Sequence, residues 1–192
     1  MHHSLINYIH ERSQSELSNA DIQLIKEAFI PKKLGKKEFL LRTGEVCKYI
    51  GFIVSGATRQ YTVDDKGNEQ VMNLAIEQWW TSDRESFYNQ TPSIYAIDAW
   101  EETELLLLPF EYYTRVNHIP AFREMRVKLD DNNYTSNQRR MNHILNLKAE
   151  QRYEELIRAY PEFLHRFPQH ILASYLGITK ETLSRIRNQT KK

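Results

Sequence analysis

A single cysteine, Cys47, removes several functions at once. No disulfide can form within the chain, and neither an iron–sulfur cluster nor a cysteine-rich zinc site can be assembled from one copy. A reducing, cytoplasmic setting fits, with Cys47 a small, partly buried residue. Long hydrophobic runs are missing too. The longest is Leu105 to Leu108, continued by Pro109 and Phe110. That falls far short of the roughly 20 residues that span a bilayer, so no membrane contact is expected. The first residues show no basic segment followed by an apolar core, so no export signal is read. A nucleophile elbow and a phosphate-cradling glycine loop are also absent, and an enzyme is not expected. Glu101, Glu102 and Glu104 read as a solvated strand end rather than as catalytic carboxylates. The seven histidines are scattered, with no pair four apart. Neither a metal, a haem nor any other cofactor is expected, and adjacent His2 and His3 are expected at a disordered end.

What is present is an ordinary globular composition. Of 192 residues, 41% are hydrophobic and 27% charged, enough for one domain and a smaller one. The net charge of +1 hides an asymmetry. Arg139 onward holds eleven Lys/Arg against five Asp/Glu, a charge of +6, so residues 1 to 138 carry −5. An acidic body with a basic tail hints at a nucleic-acid partner.

Along the chain, Ser18 or Asn19 caps a helix whose Ile22, Ile25 and Phe29 recur at helical spacing. From Lys32 to about Leu108 short apolar runs alternate with turns. Ile50 to Val54 leads into Ser55-Gly56, Ala57 to Val63 follows, and Asp64 to Gly67 reads as a hairpin loop. Val71 to Ile76, Ile94 to Trp100 and Leu105 to Leu108 complete the series. This predicts an antiparallel roll or barrel. Trp79 and Trp80 border its interior and read as aromatic core, with stacking on a ligand as the alternative. Ala121 to Leu147 contains no proline or glycine, and its 27 residues would extend about 40 Å as a helix. Its candidate seam is Met125, Leu129, Asn132, Ser136, Met141 and Ile144 or Leu145. A dimer helix and a helix lying across the roll are both open readings. A further helix covers Ala149 to Ala159, and the domain boundary falls near residues 146–148.

The segment from Gln169 to Asn188 carries the function. Leu172 and Leu176 face one side of a first helix, with small Ala173 where two helices cross. Gly177 suits a turn of positive φ, Ile178 plugs the turn, and Thr179 caps a second helix. Leu183 and Ile186 form that helix's buried stripe. Lys180, Glu181, Thr182, Ser184, Arg185 and Arg187 stay exposed. This is helix-turn-helix spacing. Arg185 can grip guanine O6 and N7, and Glu181, one turn away, can accept from cytosine N4. Thr179, Thr182 and Arg187 suit phosphates. The plainer alternative is a helical hairpin whose Glu181–Arg185 pair is a surface salt bridge.

Two stretches together carry a family resemblance. Gly44-Glu45, Tyr49, Phe52-Ile53-Val54-Ser55-Gly56 and Arg59-Gln60-Tyr61 lie in the roll. Leu172 to Arg187 forms the C-terminal motif. Over about residues 20 to 188 the chain resembles the Crp/Fnr transcription regulators. Glu181, Ser184 and Arg185 match the Glu-x-x-Ser-Arg base-reading motif of the Fnr branch, and Lys180 stands where the Crp branch often has arginine. The resemblance implies an α+β fold. Residues 1–119 would form a cyclic-nucleotide-binding-like antiparallel β-roll. Residues 120–147 would be the long dimerisation helix, and 148–192 the DNA-binding helix-turn-helix domain. It implies a homodimer on near-palindromic double-stranded DNA, with recognition helices about 34 Å apart, and leaves a contact with RNA polymerase open.

Two departures accompany the resemblance. Cyclic-nucleotide binders of the family hold the ribose with Gly-Glu and the phosphate with Arg-Ser/Thr-Ala. Here the first pair falls near Thr81-Ser82 and the second on Pro92, Ser93 and Ile94, with nothing to fix Arg84 as a substitute. A buried phosphate without its arginine is not stabilised, so no usual cAMP or cGMP response is expected and the effector is unknown. The chain also ends at Lys192, just after the second helix, which leaves no residues for the usual wing and predicts weaker DNA affinity. The rival reading is a ligand-binding or protein-interaction module with a vestigial helix-turn-helix.

Overall fold

The computed structural model describes residues 1–190 of the chain. The statement about a wing concerns residues beyond these and lies outside the described residues.

The fold begins earlier than expected. Helix α1 (His2–Arg12) is ordered and buries Leu5, Tyr8 and Ile9. His2 Nε2 donates to the Phe29 carbonyl at 2.7 Å, so the expectation of a disordered end is corrected. The apolar spacing 5, 8, 9 was available, but no side chain caps this helix. Helix α2 (Asn19–Ala28) has the capping box its sequence announces. Ser18 Oγ accepts from the Asp21 N–H at 3.1 Å, and Asp21 accepts from the Ser18 N–H at 3.0 Å.

Eight strands follow: β1 (Ile30–Leu34), β2 (Phe39–Leu41), β3 (Tyr49–Ser55), β4 (Thr58–Val63), β5 (Glu69–Ala75), β6 (Trp80–Thr81), β7 (Ala96–Ala99) and β8 (Thr103–Pro109). Helix α3 (Arg84–Asn89) interrupts them before β7. They form two antiparallel four-stranded sheets, ordered β1-β8-β3-β6 and β2-β7-β4-β5. The turn from β3 to β4 is made at Gly56, with φ +94°. Leu34, Ile53, Ala75, Ala99, Leu105 and Leu107 fill the roll interior. The two tryptophans part company. Trp80 packs with Tyr8, Phe29, Phe52 and Phe122 at ring-centroid distances of 5.1 to 6.3 Å. Trp79 points to the C-terminal helices, 5.3 Å from Tyr160 and 5.9 Å from Phe163. Both are aromatic core. The offset and edge-on arrangements suit ring quadrupoles.

Helix α4 (Phe110–Asn117) leads to α5 (Pro120–Asn146). Ala121, Phe122 and Met125 bury the first turns of α5 against the roll's own helices. Met125 therefore belongs to the core of its own chain and not to a seam, and Asn132 and Ser136 are exposed polar residues. The exposed apolar stripe instead runs through Val127 (47% exposed), Tyr134 (67%), Met141 (57%) and Leu145 (73%). Its spacing of seven, seven and four residues is that of a coiled-coil seam.

Glu124 ties this helix to the α1–α2 connection. It accepts from the Ser15 hydroxyl at 2.6 Å, the Gln14 N–H at 2.7 Å and the Ser15 N–H at 3.1 Å. Those donors, the Ser15 hydroxyl foremost, hold its carboxyl down at about 2. A carboxylate whose pKa is lower folded than unfolded stabilises the fold above its unfolded value, and the contribution disappears as pH falls through the folded value. Glu124→Gln should therefore lower the melting temperature at pH 7, and the gap to wild type should narrow as pH drops from 4.5 towards about 2. A gap that stays constant over that range would show that the charge is not what stabilises.

The last four helices are α6 (Ala149–Ala159), α7 (Phe163–Arg166), α8 (Gln169–Leu176) and α9 (Lys180–Thr190). They share one core with the outer face of the second sheet, where Tyr61, Val71, Leu74 and Ala96 meet Phe163, Phe167, Ile171 and Leu172. Beside it, Arg59 is buried between two acids: it holds both oxygens of Asp98 at 2.9 Å and pairs with Glu69. No helix among the described residues is long and apolar enough to cross a membrane.

Candidate nucleic-acid interface

The geometry of α8 and α9 follows from local chemistry. Gly177 ends α8 in the left-handed region at φ +66°, where a Cβ would be strained. The Ile178 N–H then returns to the Ala173 carbonyl at 3.0 Å, reversing the chain. Thr179 Oγ1 accepts from the Thr182 N–H at 3.2 Å and caps α9. Leu183 and Ile186 are buried against Leu172, Ala173 and Leu176. Two anchors three residues apart fix the rotation of α9 about its axis.

That rotation gathers Lys180, Glu181, Ser184 and Arg185 on one open depression of about 640 Å³. Gln169, from the start of α8, and Asn188 and Gln189, from the last turns of α9, line it too. The sequence reading did not single out these three as site residues. Asn188 and Gln189 lie four residues after Ser184 and Arg185, a spacing that would have found them. Thr179, Thr182 and Arg187 are not part of this depression. Thr179 and Thr182 are at the start of α9 with hydroxyls 3.1 Å apart, and Arg187 is half-buried on the flank.

Among the described residues no ion pair joins Glu181 to Arg185. Arg185 instead meets Glu150 of α6 at 3.8 Å, with both side chains largely exposed. Such a pair contributes less than about 1 kcal/mol and is easily exchanged for another partner. Neither guanidinium nor carboxylate is committed to the fold, so the face offers a strong donor pair and an acceptor one turn apart.

The roll has a second place of interest at the start of α3. Asp83 is buried and accepts from the N–H groups of Glu85 (3.1 Å) and Ser86 (3.4 Å) and from the Ser93 hydroxyl (2.6 Å). Pro92 bridges to Val46, and Ile94 is exposed. Arg84 pairs with Asp130 of α5 at 2.6 Å. A carboxylate thus occupies the donors that an anionic ligand would need there. The Cys47 thiol is buried, and that burial pushes its pKa up, which makes it unreactive.

The cyclic nucleotide-binding domain family matches residues 31–116. An anaerobic regulatory protein of Pasteurella multocida (strain Pm70) is 24% identical over 173 residues, covering 84% of this chain. The chain spans 63% of that relative's length. Among solved structures, FixK2 from Bradyrhizobium japonicum superposes with TM-score 0.71 at 18% identity, over 84% of this chain and 83% of that one. A chain from Eubacterium rectale ATCC 33656, described as a transcriptional regulator of the crp/fnr family, superposes with TM-score 0.65 at 18% identity, over 91% and 84%. At these identities the superpositions establish the fold.

Proposed function

We propose that the chain is a regulator of the Crp/Fnr family and acts as a cytoplasmic, sequence-specific DNA-binding protein, a homodimer on a near-palindromic site, a reading supported by the matched domain and by the relatives of like fold. The observation that carries this reading is the split character of α9. Leu183 and Ile186 are sealed in the core, while Lys180, Glu181, Ser184 and Arg185 share an open face. A helix held this way can enter a major groove without rearranging its own domain. Glu181 accepts from a cytosine, Arg185 donates to a guanine, and Ser184 lies between them. Thr179, Thr182 and Arg187 flank them towards the phosphates.

The dimer reading is supported by the α5 stripe through Val127, Tyr134, Met141 and Leu145, which is exposed among the described residues. Absence of a usual cAMP response is supported by Asp83. A cyclic phosphate placed at the start of α3 would face that carboxylate, and Arg84 is held by Asp130.

The test is selection of bound duplexes from a random pool by the purified full chain. Enrichment of one half-site in inverted repeat is expected, with affinity falling linearly in log salt at about −0.9 per neutralised phosphate. A protein that merely keeps the shape of a helix-turn-helix would enrich nothing and show no salt slope.

A further inference from the structure

Strand β5 lies at the edge of its sheet, and an edge strand leaves a row of N–H and C=O groups without a strand partner. Here those groups are taken by two helices. Ser174 Oγ of α8 accepts from the Val71 N–H at 2.9 Å and donates to the Glu69 carbonyl at 3.0 Å. Gln70 Nε2 donates to the Ser174 carbonyl at 2.6 Å. Arg140 of α5 reaches the same edge. Its guanidinium donates to the carbonyls of Met72 and Val71, and to the Tyr175 carbonyl of α8 at 3.1 Å, while stacking 4.1 Å from the Tyr175 ring centre.

Arg140 is therefore one side chain joining three bodies: the long helix, the roll and the helix-turn-helix. The three carbonyls diverge, and only a guanidinium fork supplies donors in several fixed directions at once. Its position near the C-terminal end of α8 also places positive charge where unpaired carbonyls gather. The residues beside it on α5, Asn137 to Arg139, are exposed, whereas Arg140 is half-buried with its Nε shielded from solvent, so its side chain is turned into the junction. Between α5 and α6 only Leu147 and Lys148 intervene. Without the link across β5, the helix-turn-helix would be held by that short connection, by the shared apolar core and by Arg166, which pairs with Glu77 and Glu101.

We infer that Arg140 is a positioning residue for DNA reading: by fixing α8 to β5 and α5 it sets the angle of α9, and so the one separation of half-sites that the dimer accepts. The inference rests on the regulator reading, but its physical link can be tested apart from DNA. The first measurement is amide hydrogen exchange on the full chain for wild type, Arg140→Ala, Ser174→Ala and Arg185→Ala. The Val71 N–H points away from the sheet to Ser174, so it reports docking directly. It should exchange about tenfold faster in Arg140→Ala and stay unchanged in Arg185→Ala. Ser174→Ala removes the acceptor and should give the same acceleration.

The second measurement offers duplexes carrying the selected half-sites at graded separations. Wild type should retain one separation. Arg140→Ala and Ser174→Ala should keep the same half-site bases but accept several separations with similar affinity. A merely structural role would lower affinity for all of them and leave the choice intact. Unchanged Val71 exchange in Arg140→Ala, or a single retained separation in that variant, overturns the inference. If wild type retains no duplex, the regulator reading fails, and the exchange experiment still decides whether Arg140 holds the three bodies together.

Discussion

Gly56→Ala should destabilise the protein by roughly 3 kcal/mol or more, the largest effect expected of any single methyl group in the roll. Two costs combine. The residue sits at φ +94°, outside the region an L-residue occupies comfortably, which alone costs on the order of 1 kcal/mol or more. A Cβ there would also lie 2.5 Å from the Glu102 carbonyl oxygen, 2.5 Å from Thr103 Oγ1 and 2.7 Å from Thr103 Cα. Two of these three atoms are backbone, so the methyl cannot be relieved by a side-chain rotation. Nor can the turn shift. The Gly56 N–H donates to Glu77 Oε1 at 2.8 Å, the Ala57 N–H donates to Thr103 Oγ1 at 3.2 Å, and that hydroxyl donates back to the Ala57 carbonyl at 3.1 Å. Gly67, at the tip of the β4–β5 hairpin, is the control. Its φ is +81°, but a Cβ would meet nothing within 4 Å, so Gly67→Ala bears only the backbone strain, about 1 kcal/mol. Equilibrium denaturation by urea measures both. Equal losses in the two variants would show that the contact with the β7–β8 connection is softer than the geometry states.

Gly56 was legible from Ser55-Gly56 between two apolar runs, because a turn that needs positive φ leaves its mark in one residue type. The helix-turn-helix was legible for the same reason. Gly177, Thr179, Leu183 and Ile186 act within ten residues of one another, and each role requires a particular side chain. The α+β division and the antiparallel roll followed from strand-length runs parted by turns. What stayed hidden depends on partners far away in sequence. Met125 looked like a seam residue because periodicity shows which residues share a face and not which body covers it. The N-terminal helix lacked a cap, so its three apolar positions carried no start signal. Asp83 closes a helix end and accepts from Ser93, and Arg140 meets Val71, Met72 and Tyr175, contacts between 10 and 69 residues apart. Nothing in a local window distinguishes such a carboxylate or guanidinium from a solvated one.

Arg185→Ala should leave folding nearly untouched and relax discrimination at one base pair of each half-site. The side chain is 66% exposed and its ion pair with Glu150 spans 3.8 Å, so its removal should change stability by no more than about 0.5 kcal/mol. On the selected site, loss of a bidentate guanine contact costs about 1–3 kcal/mol for each half-site. A homodimer loses two, about 2–6 kcal/mol together, which corresponds to a roughly thirtyfold to twenty-thousandfold fall in affinity. The fall should be confined to operators carrying the preferred base pair. Against duplexes already substituted there, wild type and variant should bind alike, because neither has that contact to lose. The salt slope should also survive, since a base contact releases no counterion, whereas Arg187→Ala should flatten it by about one unit per half-site while keeping base preference. Titration of both variants on the selected site and on its substituted versions, at two salt concentrations, separates the roles. An affinity for the selected site equal to wild type, or a uniform loss on every sequence, would remove Arg185 as a base reader. Ser184 and Glu181 would then be left to supply the choice from the same face of α9.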